Sequence, residues 1–224
     1  ALPSLAKNVK LKKQNIIDKL QNRSIELCLL LSLPAAFGLL IASEQIVNSL
    51  FGYGSFNIED IYNTSLALIF FAFGVPAFAL IKVLSNFYFA RNDTKFPFYV
   101  SFITMLINII ISLSFFKKYG FIIIPIATSL SSWVAISIYL IFLKKNKILF
   151  LSSEFISNFL KILLSTFLMS IFLYYGLNYF EDKFVYLNKF KLIYLLIMVG
   201  LSSALYLIVA KILGVLNLKS YKIK

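Results

Sequence analysis

Residues 82–97 read KVLSNFYFARNDTKFP. A single lysine, Lys82, sits inside an apolar run that ends in the charged turn Arg91-Asn92-Asp93-Thr94-Lys95, closed by Pro97. A cation deep in an apolar helix, followed by a tight reversal, belongs to a polytopic transporter, because an intramembrane charge needs a partner or a watery path. The composition points the same way. With 60% hydrophobic residues, 24 phenylalanines and a mean hydropathy of +0.88, 224 residues cannot close a soluble core without leaving an apolar exterior. The expected fold class is all-α integral membrane.

A spanning helix needs about 20 mostly apolar residues, and six windows qualify: 26–50, 64–90, 97–116, 120–143, 155–178 and 190–214. Ahead of them, residues 11–23 are polar and basic, with Ile16, Ile17 and Leu20 spaced to share one face of a short helix lying on headgroups. The chain starts at Ala1 within Leu2-Pro3-Ser4-Leu5-Ala6, which reads as the end of a helix already under way. The expected division is therefore the end of a preceding helix plus a basic cytoplasmic segment (1–25), four membrane helices (26–143), a basic loop (144–154), two further helices (155–214) and a basic tail (215–224) of a longer protein.

The formal charge is +13. Its lysines and arginines lie in short clusters between apolar runs rather than interleaved with aromatics in a basic patch, so the expected partner is anionic lipid and not nucleic acid. Glu59 and Asp60 mark a loop free of basic residues, whereas Arg91 and Lys95, then Lys144, Lys145 and Lys147, and finally Lys219, Lys222 and Lys224 mark the positive, cytoplasmic side. Lys117, Lys118, Lys183, Lys189 and Lys191 fall on the opposite side and weaken the asymmetry without reversing it. Both ends of the segment are expected in the cytoplasm.

Histidine is absent and Cys28 is the single cysteine, which removes the commonest general base, an intrachain disulfide and a cysteine metal cluster. With no nucleotide-binding motif, paired carboxylates or nucleophile and base at working spacing, no catalytic residue, metal ligand or cofactor is assigned.

The polar groups inside apolar windows are the candidate site. Lys82 lies nine residues before Arg91, about 13 Å along a helix, and two readings stay open: a partly snorkelled lysine, or one facing a water-filled cavity that receives an anionic substrate. Asn86 is one turn further on the same face. Asn108, with Thr104, Ser112 and Ser114, and Thr128, Ser129, Ser131 and Ser132 in the next window, can serve helix packing or line a path. Arg91, Asp93, Lys95 and Pro97 form a cytoplasmic turn or gate in which Asp93 caps the following helix or pairs with a neighbouring cation. Pro34, Pro76 and Pro125 each remove a backbone hydrogen bond and are candidate helix bends.

Together LPSLAK (2–7), SLPAA (32–36), LFGYGSF (50–56), KVLSNFYFARNDTKFP (82–97) and GFIIIPIATSLSSWV (120–134) resemble, in this order and spacing, the MurJ/MviN lipid II flippase family. The resemblance implies fourteen helices in two lobes around a central cavity, with the last two bordering a groove for the substrate's polyprenyl tail. This chain would supply the end of the eighth helix and the ninth to fourteenth, leaving an N-terminal lobe as the missing partner. Ala135 stands where the resemblance implies asparagine. The implied function is export of an undecaprenyl-diphosphate-linked peptidoglycan precursor across the bacterial inner membrane by alternating access, driven by membrane potential or an ion gradient. The alternatives are a polysaccharide or drug exporter of the same superfamily, and a non-transporting membrane scaffold or remnant.

Overall fold

The computed structural model describes residues 2–186 and 188–216, so Lys219, Lys222 and Lys224 of the expected tail lie outside the described residues. Its elements are α1 (Leu2–Lys10), α2 (Gln14–Ile41), α3 (Ser43–Phe51), α4 (Ile58–Phe89), α5 (Lys95–Tyr119), α6 (Ile123–Lys145), α7 (Ser153–Tyr179) and α8 (Lys191–Ile212), with short 3-10 turns at Gly120–Ile122 and Glu181–Phe184. No strand occurs among the described residues.

Among the described residues five continuous helical stretches are long and apolar enough to cross a membrane, and the third, Lys95–Lys145, runs for 51 residues. A straight helix of that length would reach about 76 Å, more than twice a hydrocarbon core. Instead it folds back as a hairpin. Asn108 Nδ2 donates to Thr128 Oγ1 at 3.0 Å across 20 residues that would span about 30 Å in one helix. Gly120 makes the reversal with φ 62 and ψ −146, a conformation that strains residues carrying a Cβ. With α5 and α6 taken separately, the described residues hold six long helices, as the hydropathy windows suggest.

Helix boundaries differ from those windows in two places. Polar residues 14–25 are not a separate helix but the start of α2, because nothing between Gln14 and Pro34 interrupts the backbone ladder. Ile17 and Leu20, expected on headgroups, are buried within the protein. The 26–50 window breaks at fully buried Ala42. Ser43 and Glu44 then open α3, both residue types suited to a helix start.

Other termini follow local chemistry. Asn57 and Asp60 exchange backbone-to-side-chain bonds of 3.0 Å at the start of α4, a reciprocal cap. Ser152 Oγ accepts from Phe155 N at 3.1 Å before α7. Helices α1, α4 and α6 end on left-handed Lys12, Asn92 and Lys147, each followed by a residue whose N–H reaches back to the carbonyl five earlier.

The chain forms two compact units, Ala1–Ser32 with Phe73–Ser157, and Leu33–Ala72 with Asn158–Lys224. In the first, Tyr88 stacks on Phe96 at 4.3 Å while Phe96 meets Phe142 at 5.0 Å, joining α4, α5 and α6. Asn22 on α2 clasps the loop before α7: its Nδ2 donates to Phe150 O at 2.7 Å and its Oδ1 accepts from Ser152 N at 3.1 Å. In the second, Ala42, Leu173, Leu177, Phe184, Leu195 and Met198 form an apolar cluster. There α7 approaches α8 so closely that a methyl added at Gly176 would run into Met198.

Candidate functional site

The turn between α4 and α5 is built by its own sequence. Asn92, at φ 59, lets Asp93 N bond Tyr88 O at 3.1 Å and Asn92 N bond Phe89 O at 3.0 Å, which closes α4 two residues before Arg91. Asp93 Oδ1 then accepts from Phe96 N at 3.1 Å and starts α5. Of the two roles expected for Asp93, the geometry displays the cap. Lys95 is the first residue of α5 and Pro97 the third, where the first-turn N–H has no intrahelical acceptor to lose.

Arg91 Nη1 donates to Phe87 O at 2.7 Å and the residue is half-buried. Burial pulls its guanidinium below the ordinary value, opposed by Tyr88 and by Asp18 on α2. An arginine so placed remains charged at any physiological pH. Asp18 itself accepts from Gln14 Nε2 at 2.8 Å.

Lys82 is exposed and Asn86 partly exposed, one turn apart on α4. Asn108 lies elsewhere, on α5, where it joins Thr128 and, at 3.5 Å, Ser131 and Ser112. Beside this network Ser101, Thr104, Met105, Asn108, Ile109 and Ser131 line an open cleft of about 320 Å³. Every polar group in that lining is neutral. It can hydrogen-bond a hydroxyl or amide but offers no countercharge to a phosphate.

The prolines divide. Pro34 and Pro76 lie inside α2 and α4. Near Pro76 the Trp133 indole N–H donates to Phe73 O at 3.0 Å, supplying a partner at a stretch where proline disturbs the ladder. Pro125 is the third residue of α6, so it removes no helical bond and begins the helix rather than bending it. Ala135 is buried on α6.

One feature escaped the sequence reading entirely. Lys191, counted there as a flanking charge, is fully buried and donates to Asn48 Oδ1, Gly52 O and Tyr186 O at 2.8, 2.7 and 3.1 Å. The partners are as many as 143 residues away, so nothing local marks it. The LFGYGSF segment that supplies Gly52 was the available hint.

Comparison with known proteins gives these groups their context. The family model described as lipid II flippase MurJ matches residues 1–196. The chain belongs to the lipid II flippase MurJ family. A probable lipid II flippase MurJ of Rickettsia prowazekii is 32% identical over 220 residues, covering 96% of this chain and 43% of the relative. The lipid II flippase MurJ of Thermosipho africanus is 31% identical over 185 residues, covering 83% of this chain and 37% of the relative. A solved lipid II flippase MurJ in an inward closed conformation superposes with a TM-score of 0.75 at 27% identity, covering 94% of this chain and 42% of that one. The chain thus spans less than half the length of these MurJ relatives. Its apolar helices and MurJ membership make it a multi-pass inner-membrane protein.

Proposed function

We propose that this chain is the second-lobe and groove portion of a transporter that moves an undecaprenyl-diphosphate-linked peptidoglycan precursor from the cytoplasmic to the outer leaflet by alternating access. The carrying observation is the family-model match over residues 1–196, joined to a fold shared with a solved flippase. The four long helices α2, α4, α5 and α6 belong to the lobe, 155–214 border the path of the isoprenoid tail, and an N-terminal lobe completes the cavity. The head group needs a polar route and the tail an apolar one. Lys82 and Asn86 supply a cation and an amide on one face of α4, and Asn108 a neutral polar cleft on α5.

Orientation follows from the basic loops, with the 91–95 turn and the 144–154 loop cytoplasmic and the Glu59–Asp60 end outside. The 91–95 turn then lies at the gate. Basic clusters on the cytoplasmic side rest against anionic lipid headgroups.

The test is replacement of a bacterium's own flippase by the full-length protein containing this chain. Growth should continue and head groups should reach the outer leaflet, detected with a membrane-impermeant reagent. Cells that lyse with precursor held in the inner leaflet, despite normal amounts of protein, would refute the assignment. A soluble drug or a different lipid-linked glycan exported in its place would indicate the exporter alternative.

A further inference from the structure

Lys191 opens α8, where the positive end of the helix dipole disfavours a cation. It is nonetheless fully buried, and among the described residues no carboxylate pairs with it. What holds it is a set of neutral acceptors. An ammonium has three N–H donors, and three oxygens receive them: Asn48 Oδ1 from α3, Gly52 O from the loop after α3, and Tyr186 O from the segment before α8. The Tyr53 ring lies 4.1 Å from Nζ and the Tyr186 ring 5.2 Å, distances at which an aromatic face attracts a cation.

The walls are themselves fixed. Asn48 is turned by its own Nδ2, which donates to Phe184 O at 2.7 Å. Tyr186 is held by its hydroxyl, which donates to Phe56 O at 2.9 Å. Gly52 has no room to spare, since an added methyl would press on Asn48 O at 2.6 Å and come within 3.0 Å of Nζ.

We propose that Asn48, Gly52, Tyr53 and Tyr186 form an ammonium-recognition cage that Lys191 occupies from its own chain, and that this occupancy clasps the 52–56 loop onto the first turn of α8. The proposal is independent of what the protein transports. The rival is that tyrosine and apolar contacts hold the loop and the lysine is a passenger.

Hydrogen exchange on the full-length protein in detergent separates the two. In Lys191→Ala and Lys191→Met, amides of residues 52–56 and 184–186 should exchange at least tenfold faster than wild type, with the α5–α6 hairpin unchanged. Propylammonium, which matches the atoms deleted in the alanine variant, should slow that exchange at least threefold. It should not act on the methionine variant, whose side chain fills the space. Tetramethylammonium, with charge but no N–H donor, should have no effect on either. Should Ala and Met variants fail to accumulate, Lys191→Arg carries the test: it keeps the charge, but a planar guanidinium cannot match three converging acceptors, and exchange in the loop should rise threefold or more. Wild-type exchange in Lys191→Met or Lys191→Arg would overturn the proposal, as would equal acceleration in α5–α6, no rescue by propylammonium, or rescue by tetramethylammonium.

Discussion

Asn22 is 6% exposed and serves the chain with both ends of its amide, donating to Phe150 O and accepting from Ser152 N. Removing it leaves two backbone groups without partners, each costing about 1–3 kcal/mol if water cannot replace the bond. Asn22→Ala should therefore destabilise the full-length protein by about 2 kcal/mol or more, read as a fall in its unfolding temperature, and Asn22→Asp should recover only the bond to Ser152 N. Lys82 is the opposite case: an exposed side chain for which the proposed role is one of charge. If it meets an anionic head group, Lys82→Ala should lower transport at least tenfold while Lys82→Arg keeps most of it, with protein levels equal. Wild-type transport in both variants would reduce Lys82 to a snorkelling anchor. Lys82 stands out in the sequence as a lone cation in an apolar run, whereas Asn22 looks ordinary there, since its partner lies 128 residues away.

The α5–α6 hairpin isolates one cause of chain reversal. Gly120 has open space around the position of a Cβ, so Gly120→Ala tests backbone strain alone. At φ 62 and ψ −146 it should cost about 1–3 kcal/mol, seen as lower thermal stability and faster exchange at the hairpin tip. Asn108 tests the other end of the same element. Asn108→Ala removes a bond between α5 and α6 worth about 0.6–2 kcal/mol in a membrane setting. Loss of stability with transport intact would mark it as helix packing, whereas loss of transport at unchanged stability would place it on the substrate path. At this scale the sequence was most readable: hydropathy located 155–178 and 190–214, close to α7 and α8, because burial in a membrane is written in length and composition. It could not show that α2 continues through its polar half, where Ile17 and Leu20 are buried within the protein rather than laid on headgroups. Nor did it separate Pro125 from Pro76, a distinction that rests on two residues at the start of α6.

For the whole molecule, the distribution of charge makes two claims. The first is topology. With Cys28 replaced by serine, a cysteine at exposed Ser55 should react with an impermeant maleimide from outside the cell, and one at exposed Asn146 only after permeabilisation; the reverse pattern would invert the assigned orientation. The second is energetic. If the full-length protein exports the proposed diphosphate-linked head from a negative interior, about two charges move outward, and the potential contributes about 2.3 kcal/mol per charge per 100 mV, or 4 to 5 kcal/mol in all. At about 1.4 kcal/mol per decade, that shifts the outer-to-inner ratio of head groups by roughly three decades without ATP. In vesicles of the reconstituted full-length protein, a potassium gradient with valinomycin should therefore swing this ratio steeply, outward for a negative interior and inward for a positive one. A ratio indifferent to the potential, with flipping still observed, would mean that the charge is neutralised on the way. The coupling would then have to come from a co-moving cation, and Lys82, the cation within α4, would have no net charge to balance.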